Sequence, residues 1–157
     1  MSRFMRSAGV VIVASLITSA TAATSRAPDD ACSLLTKEDA AAALGEAATG
    51  PQATGPISDG AGGTASGCGY TGSGVHSIQL SLTRLPASAV PTYKGICAQQ
   101  SKDGLDGLGD VACWHNDKHA ELNVIKGAAF LSIELRRSGN PTEPIKALMK
   151  KVVAKLK

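Results

Sequence analysis

The sequence predicts an α+β domain, with one antiparallel sheet of about 5–6 strands carrying packed helices in the order helix, strands, helix, meander, helix, held by two disulfides. Three observations carry this prediction. Residues 105–137 open with a glycine turn and then give three short apolar-alternating runs, split by Asn116-Asp117-Lys118 and by Lys126-Gly127, which is the pattern of an antiparallel meander. Residues 141–157 place Ile145, Leu148, Met149, Val152, Val153 and Leu156 on one helical stripe, with lysines off it. The 4 cysteines all lie beyond the apolar leader, which in an exported chain reads as a disulfide framework.

The chain begins with Arg3 and Arg6, an apolar run over 9–17, and the small residues Ala20-Thr21-Ala22. This is the anatomy of a secretory signal peptide cleaved after Ala22. The run is about half of the roughly 20 residues a spanning helix needs, and no later stretch is longer. A lipoprotein would carry a cysteine directly after the cleavage site, but the first is Cys32. The expectation is therefore a periplasmic or extracellular chain with no integral membrane segment after cleavage. Its organisation is a signal peptide over 1–22, a flexible tail over 23–31 and a single secreted domain over 32–157. Removing 1–22 takes away two Arg and no acid, so the formal charge falls from +3 to +1. The basic balance of the whole chain then says little about partners.

Each element has a local cause. Thr36 caps a helix whose first turn is Lys37-Glu38-Asp39, Leu35 staples onto Ala40, and Gly45 supplies the left-handed stop. Residues 49–67 are rich in Gly, Pro, Ser and Thr with almost no apolar volume, and read as a long flexible loop. Its glycines do not form a phosphate cradle, because no Lys-Ser/Thr pair follows them. Cys68-Gly69-Tyr70 starts a strand, and 75–85 is another, with Ile78, Leu80 and Leu82 inward and His76 at its rim. Ser88 and Pro91 start a second helix bearing Val90, Tyr93 and Cys97 on one face. In the meander Leu122, Val124, Leu131, Ile133 and Leu135 point inward. Phe130 shares the wet face and Trp114 faces opposite to Cys113, so a helix is expected to cover the aromatic side. Asn140 caps the last helix with Pro141 at its first position. Its lysines form a solvated face on a core helix rather than a nucleic-acid or membrane surface.

Spacing leaves three cysteine connectivities open. Cys32–Cys68 with Cys97–Cys113 is favoured, because each bridge closes one helix onto the strand region that follows it. The competing chemistry is metal ligation by Cys113, His115 and His119, which needs a free thiolate and so fits an oxidising compartment poorly. Asp103, Asp106 and Asp110 lack the alternate spacing of a calcium loop.

Several motifs carry a resemblance. Cys32-Ser33-Leu34-Leu35-Thr36-Lys37-Glu38-Asp39 leads into an alanine-rich helix ending in Leu44-Gly45, Cys68 precedes an aromatic, and Gly107-Leu108-Gly109-Asp110-Val111-Ala112 forms a turn before a closing hairpin and helix. In these the chain resembles a family of small secreted proteins and lipoproteins of unknown function, best known from actinobacteria. It departs from them in lacking the lipid-attachment cysteine. The resemblance implies the same fold and the Cys32–Cys68 pairing, and it brings no activity.

Nothing in the sequence matches a hydrolase, metalloprotease or reactive-cysteine signature. The functional expectation is a non-enzymatic domain, without cofactor or nucleic-acid partner, that binds a protein or small ligand. Trp114, His115 and His119 are its candidate binding residues, forming a contact edge at the turn over 115–119. The alternative is a metal-binding envelope protein using His115 and His119.

Overall fold

The computed structural model describes residues 30–58 and 62–156. The expected signal peptide over 1–22 and most of the expected tail over 23–31 lie outside these residues. The chain forms one six-stranded sheet, wholly antiparallel, in the order β1-β2-β3-β6-β5-β4. The strands are β1 (Thr49–Ser58), β2 (Thr64–Thr71), β3 (Ser77–Arg84), β4 (Val111–Trp114), β5 (Glu121–Lys126) and β6 (Ala129–Arg136). Two three-stranded meanders therefore lie side by side, joined where β3 pairs with β6 from Ser77↔Arg136 to Arg84↔Ala129. Among the described residues three helices, α1 (Lys37–Leu44), α2 (Val90–Ala98) and α3 (Thr142–Lys155), complete the expected order, after a 3-10 turn at Ala31–Ser33.

Strand parity sorts the side chains onto two faces. On the first, Ile78, Leu80, Leu82, Leu122, Val124, Leu131, Ile133 and Leu135 are buried against α1 and α3. Thr36 Oγ1 accepts the Asp39 N–H at 3.1 Å, and Gly45 ends α1 at φ +77°. The α3 stripe of Ile145, Leu148, Met149, Val152 and Val153 is buried as its periodicity requires. The helix starts one residue later than expected: Pro141 is the N-cap and makes no side-chain cap bond, while Asn140 Oδ1 accepts the Thr142 N–H at 2.9 Å just before it. Two lysines of α3 reach α1: Lys151 and Lys155 both donate to the Asp39 carboxylate, at 2.9 and 3.3 Å. Lys155 also donates to the Leu34 carbonyl at 2.8 Å.

Residues 49–67 are not a loop. Thr49–Ser58 forms β1, an edge strand paired with β2 along its length and exposed throughout. Its register shifts fall at Gly50-Pro51 and Gly55-Pro56, both cis. Proline cannot donate to a ladder, so a strand built this way is confined to a sheet edge with irregular pairing. That is why no apolar alternation marks it. Ala31, placed in the tail by sequence, is fully buried, and its N–H donates to Ser66 Oγ at 3.0 Å.

Both favoured disulfides are present, Cys32–Cys68 with Cα atoms 4.9 Å apart and Cys97–Cys113 with Cα atoms 5.5 Å apart. The first fastens the N-terminal turn to the core face of β2. The second fastens α2 to β4 on the opposite face, where Cys97, Cys113 and Ile125 form a small cluster of their own with Val111 and Phe130 packed against it.

The glycine turn before β4 has a steric cause. A Cβ on Gly109 would sit 2.5 Å from Val124 Cγ1 and 2.7 Å from the Ile125 carbonyl oxygen. The following Asp110 ties three elements together. Its N–H donates to the Ile125 carbonyl at 2.7 Å, and its carboxylate accepts from Lys94 Nζ at 2.9 Å and from the Gly127 N–H at 3.1 Å. The Lys94 bond, with that from Gly127, holds the Asp110 carboxyl below the usual carboxylate range.

Candidate functional site

Of the three residues expected to form one contact edge, the structure stacks His119 on Trp114 and sets His115 apart on the other face. Trp114 is 1% exposed and belongs to the main core, with Nε1 donating to the Asp103 carbonyl at 3.2 Å. It therefore presents nothing to a surface ligand. His119, in a left-handed conformation at φ +51°, stacks on the Trp114 ring with centroids 4.6 Å apart and planes 14° from parallel. His115 shares the second face with Cys113 and stays exposed at its edge, with Nε2 3.9 Å from Glu121 Oε2. The two histidines thus serve different faces of β4. Cys113 is committed to its disulfide, and among the described residues no three His, Cys, Asp or Glu side chains converge as metal ligands would.

His115 instead lines a groove of about 170 Å³ between α2 and the second face of the sheet. This face reads as rows across the strands. One row runs Thr54, Gly67, Ser81, Ser132, Asn123 and Cys113, each residue opposite the next in register. The neighbouring row runs Ala65, Thr83, Phe130, Ile125 and Val111. Small and polar side chains in the first row leave a trough, while larger apolar ones in the second support α2. The helix roofs only the β4–β5–β6 end, with Tyr93 edge-on to Phe130 at 5.2 Å and 60°. Ile96 stands at the groove with 54% of its surface exposed. The expectation that a helix covers the aromatic side holds for Phe130, although the cover is partial.

Of the polar residues lining the groove, Gln100, His115 and Asn123, only Asn123 is buried, at 6% exposed. Its Oδ1 is buried and has no hydrogen-bond partner among the described residues. Its row neighbour Ser132 does not serve it, because that hydroxyl donates to Glu121 Oε1 at 2.9 Å. An orphaned buried acceptor of this kind costs about 1–3 kcal/mol unless a donor reaches it.

A second polar cluster lies at the other end of the molecule. His76 Nδ1 is 2.7 Å from Glu46 Oε1, and His76 Nε2 is 3.0 Å from Ser138 Oγ. The connectivity is that of a nucleophile, base and orienting carboxylate. However, the Ser138 backbone N–H also donates to Nε2, at 3.1 Å. A neutral imidazole has one in-plane lone pair on that nitrogen. The pair a general base would offer the hydroxyl is already engaged by the same residue's amide. Glu46 further accepts from the Ser73 N–H at 2.9 Å and the Ser73 hydroxyl at 2.6 Å. Those bonds, with the one from His76, pull its carboxyl down to about 2. The cluster is a clasp that ties the segment after α1, the β2–β3 turn and the β6–α3 connection. It makes His76 the rim residue its strand position implies.

Strand parity puts Asn123 on the face opposite Leu122 and Val124, and no sequence motif assigns it a role. The available signal was an amide set between Leu122 and Val124 in a strand whose outer neighbours are Cys113 and Phe130, which announces polarity inside an apolar enclosure. Glu46 and Ser138 carried no signal, because their meeting with His76 depends on three separate turns. The fold and groove define a disulfide-stapled α+β domain with one partly roofed sheet face. No family model, curated protein or solved structure matches this chain.

Proposed function

We infer that this protein is a non-enzymatic, exported, disulfide-stapled domain that binds a small ligand in the groove between α2 and the second face of the sheet. Export is supported by the leader over 1–22 and by two disulfides, which persist in oxidising compartments. Among the described residues no helix is long and apolar enough to cross a membrane. The resemblance to small secreted actinobacterial proteins points the same way. The observation that carries the binding reading is the incomplete roof. Ile96 is left largely exposed above a concave surface bordered by Tyr93, Phe130 and the Cys97–Cys113 bridge. Small-ligand sites are concave, mostly apolar and furnished with few polar groups, as this groove is.

A ligand-observed NMR fragment screen against the wild type and Ile96→Glu tests the reading. The substitution places a charge at the groove on an already exposed position, so folding is retained. Fragments that bind the wild type and are lost with the variant are expected. A hit list unchanged by Ile96→Glu contradicts the groove as the site.

A further inference from the structure

We propose that the groove selects a neutral, single-ring aromatic molecule carrying an O–H or N–H donor, whose donor is received by Asn123 Oδ1. This proposal rests on the groove reading above and adds the chemical class of the ligand.

Three features of the groove restrict the class. The first is size. Its volume of about 170 Å³ is close to the roughly 150 Å³ of an apolar cavity that accommodates benzene, which limits the enclosed part of a ligand to about one ring. The second is the lining. Ile96, Tyr93, Phe130 and the Cys97–Cys113 bridge offer aliphatic, aromatic and sulfur surface, and the paired rings of Tyr93 and Phe130 present edges and faces suited to a third ring. No Lys or Arg lines the groove, and the Glu121 carboxylate lies 3.9 Å from His115 Nε2, so an anionic ligand finds no permanent cation to pair with. A full cation would lose its hydration against apolar walls with no carboxylate at the Asn123 position. A neutral body remains.

The third feature is the polarity of the buried group. Asn123 Oδ1 is acceptor-only, 6% exposed as a residue, and unpartnered among the described residues. A ligand that lacks a donor leaves this oxygen as unpartnered as it is in the free protein. A phenol or indole places one donor at the end of an apolar ring and satisfies it once the terminal torsion of the Asn123 side chain turns the oxygen toward the groove. The discrimination is of the kind by which a site built around a hydrogen bond rejects an isostere that cannot make it. The row of small side chains leading from Asn123 through Ser132 and Ser81 to Gly67 leaves room for a substituent beyond the ring to run along the open half of the face.

The test is calorimetric titration of the purified protein with p-cresol and with toluene, repeated on Asn123→Leu. Leucine has a similar volume and removes the orphan acceptor, so the variant is expected to be at least as stable as the wild type. The wild type is expected to bind p-cresol about tenfold more tightly than toluene, and Asn123→Leu to lose that preference. The wild-type comparison stands without the variant, should the variant misfold. Equal affinity for the two probes in the wild type, or a p-cresol preference retained in Asn123→Leu, overturns the donor class and leaves the groove reading intact. Absence of binding by either probe overturns both.

Discussion

The disulfide between Cys97 and Cys113 holds α2 against β4, and Cys97 is the buried residue of that helix. A helix of nine residues with Gly95 at its centre has little stability of its own. Its place over the sheet therefore depends on the bridge, with support from Tyr93 against Phe130 and Lys94 on Asp110.

Replacing both cysteines by alanine is expected to release α2 while the core strands persist. The bridge spans 16 residues, for which loop entropy predicts about 3 kcal/mol of stabilisation. Hydrogen exchange should show lost protection over Val90–Ala98 with β3, β5 and β6 still protected, and groove ligands should no longer bind. Retained protection in α2 would show that packing alone holds it.

Acid should weaken the fold through Glu46. Its carboxyl titrates at about 2 in the folded chain against an ordinary 4.5, because Ser73 and His76 donate to it. A folded-state value below the unfolded one gives stability that is fully present above the unfolded value and fades as pH falls towards the folded one. Asp110 is lowered through Lys94 and Gly127. Burial raises the Asp39 carboxyl, but bonds from Lys151, Lys155 and Thr36 more than offset this, and its net shift is also downward. Denaturant midpoints measured from about pH 5 to about pH 2 should fall for the wild type and fall less steeply for Glu46→Gln. Parallel curves for the two proteins would contradict this role for Glu46.

Two glycines of the turn before β4 should respond differently to alanine. Both have positive φ, +76° at Gly107 and +63° at Gly109. At Gly107 nothing lies within 4 Å of an added Cβ, so only the conformational penalty of about 1 kcal/mol applies. At Gly109 the same methyl meets Val124 and the backbone of Ile125, and the loss should exceed about 2 kcal/mol. Chemical unfolding of the two variants separates the cases, and equal losses would mean that the close approach is relieved at no cost.

These glycines also mark what could be read from the sequence. The Gly-Leu-Gly-Asp turn, the capped α1 and the stripe of α3 were legible because each rests on local chemistry: a left-handed turn, a side-chain cap, a period of 3.6 residues. β1 was not, since its edge position lets it use prolines and exposed small residues that carry no alternation. Trp114 was misplaced as a contact residue because strand parity gives the face of a side chain and not what lies above it. The covering groups, the Asp103 carbonyl and the His119 ring, come from a loop and a turn. The groove was invisible for a related reason. It needs α2 to cover one end of a face and leave the rest open, and no local pattern encodes where a helix stops covering a sheet.

His119→Ala should uncover Trp114. The stacked ring shields the indole, and such pairs contribute about 0.5–1.5 kcal/mol. With a single Trp in the chain, fluorescence reports directly on this site. A red-shifted emission, greater quenching by iodide and a small loss of stability are expected, with groove binding unchanged. Loss of groove binding would place His119 at the ligand site instead.

The groove itself is tested most directly by a backbone amide shift map of isotope-labelled protein titrated with p-cresol. The largest saturable shifts are expected on Tyr93, Ile96, Gln100, His115, Asn123 and Phe130. Shifts centred on His76 and Ser138, or none at saturating probe, would contradict this.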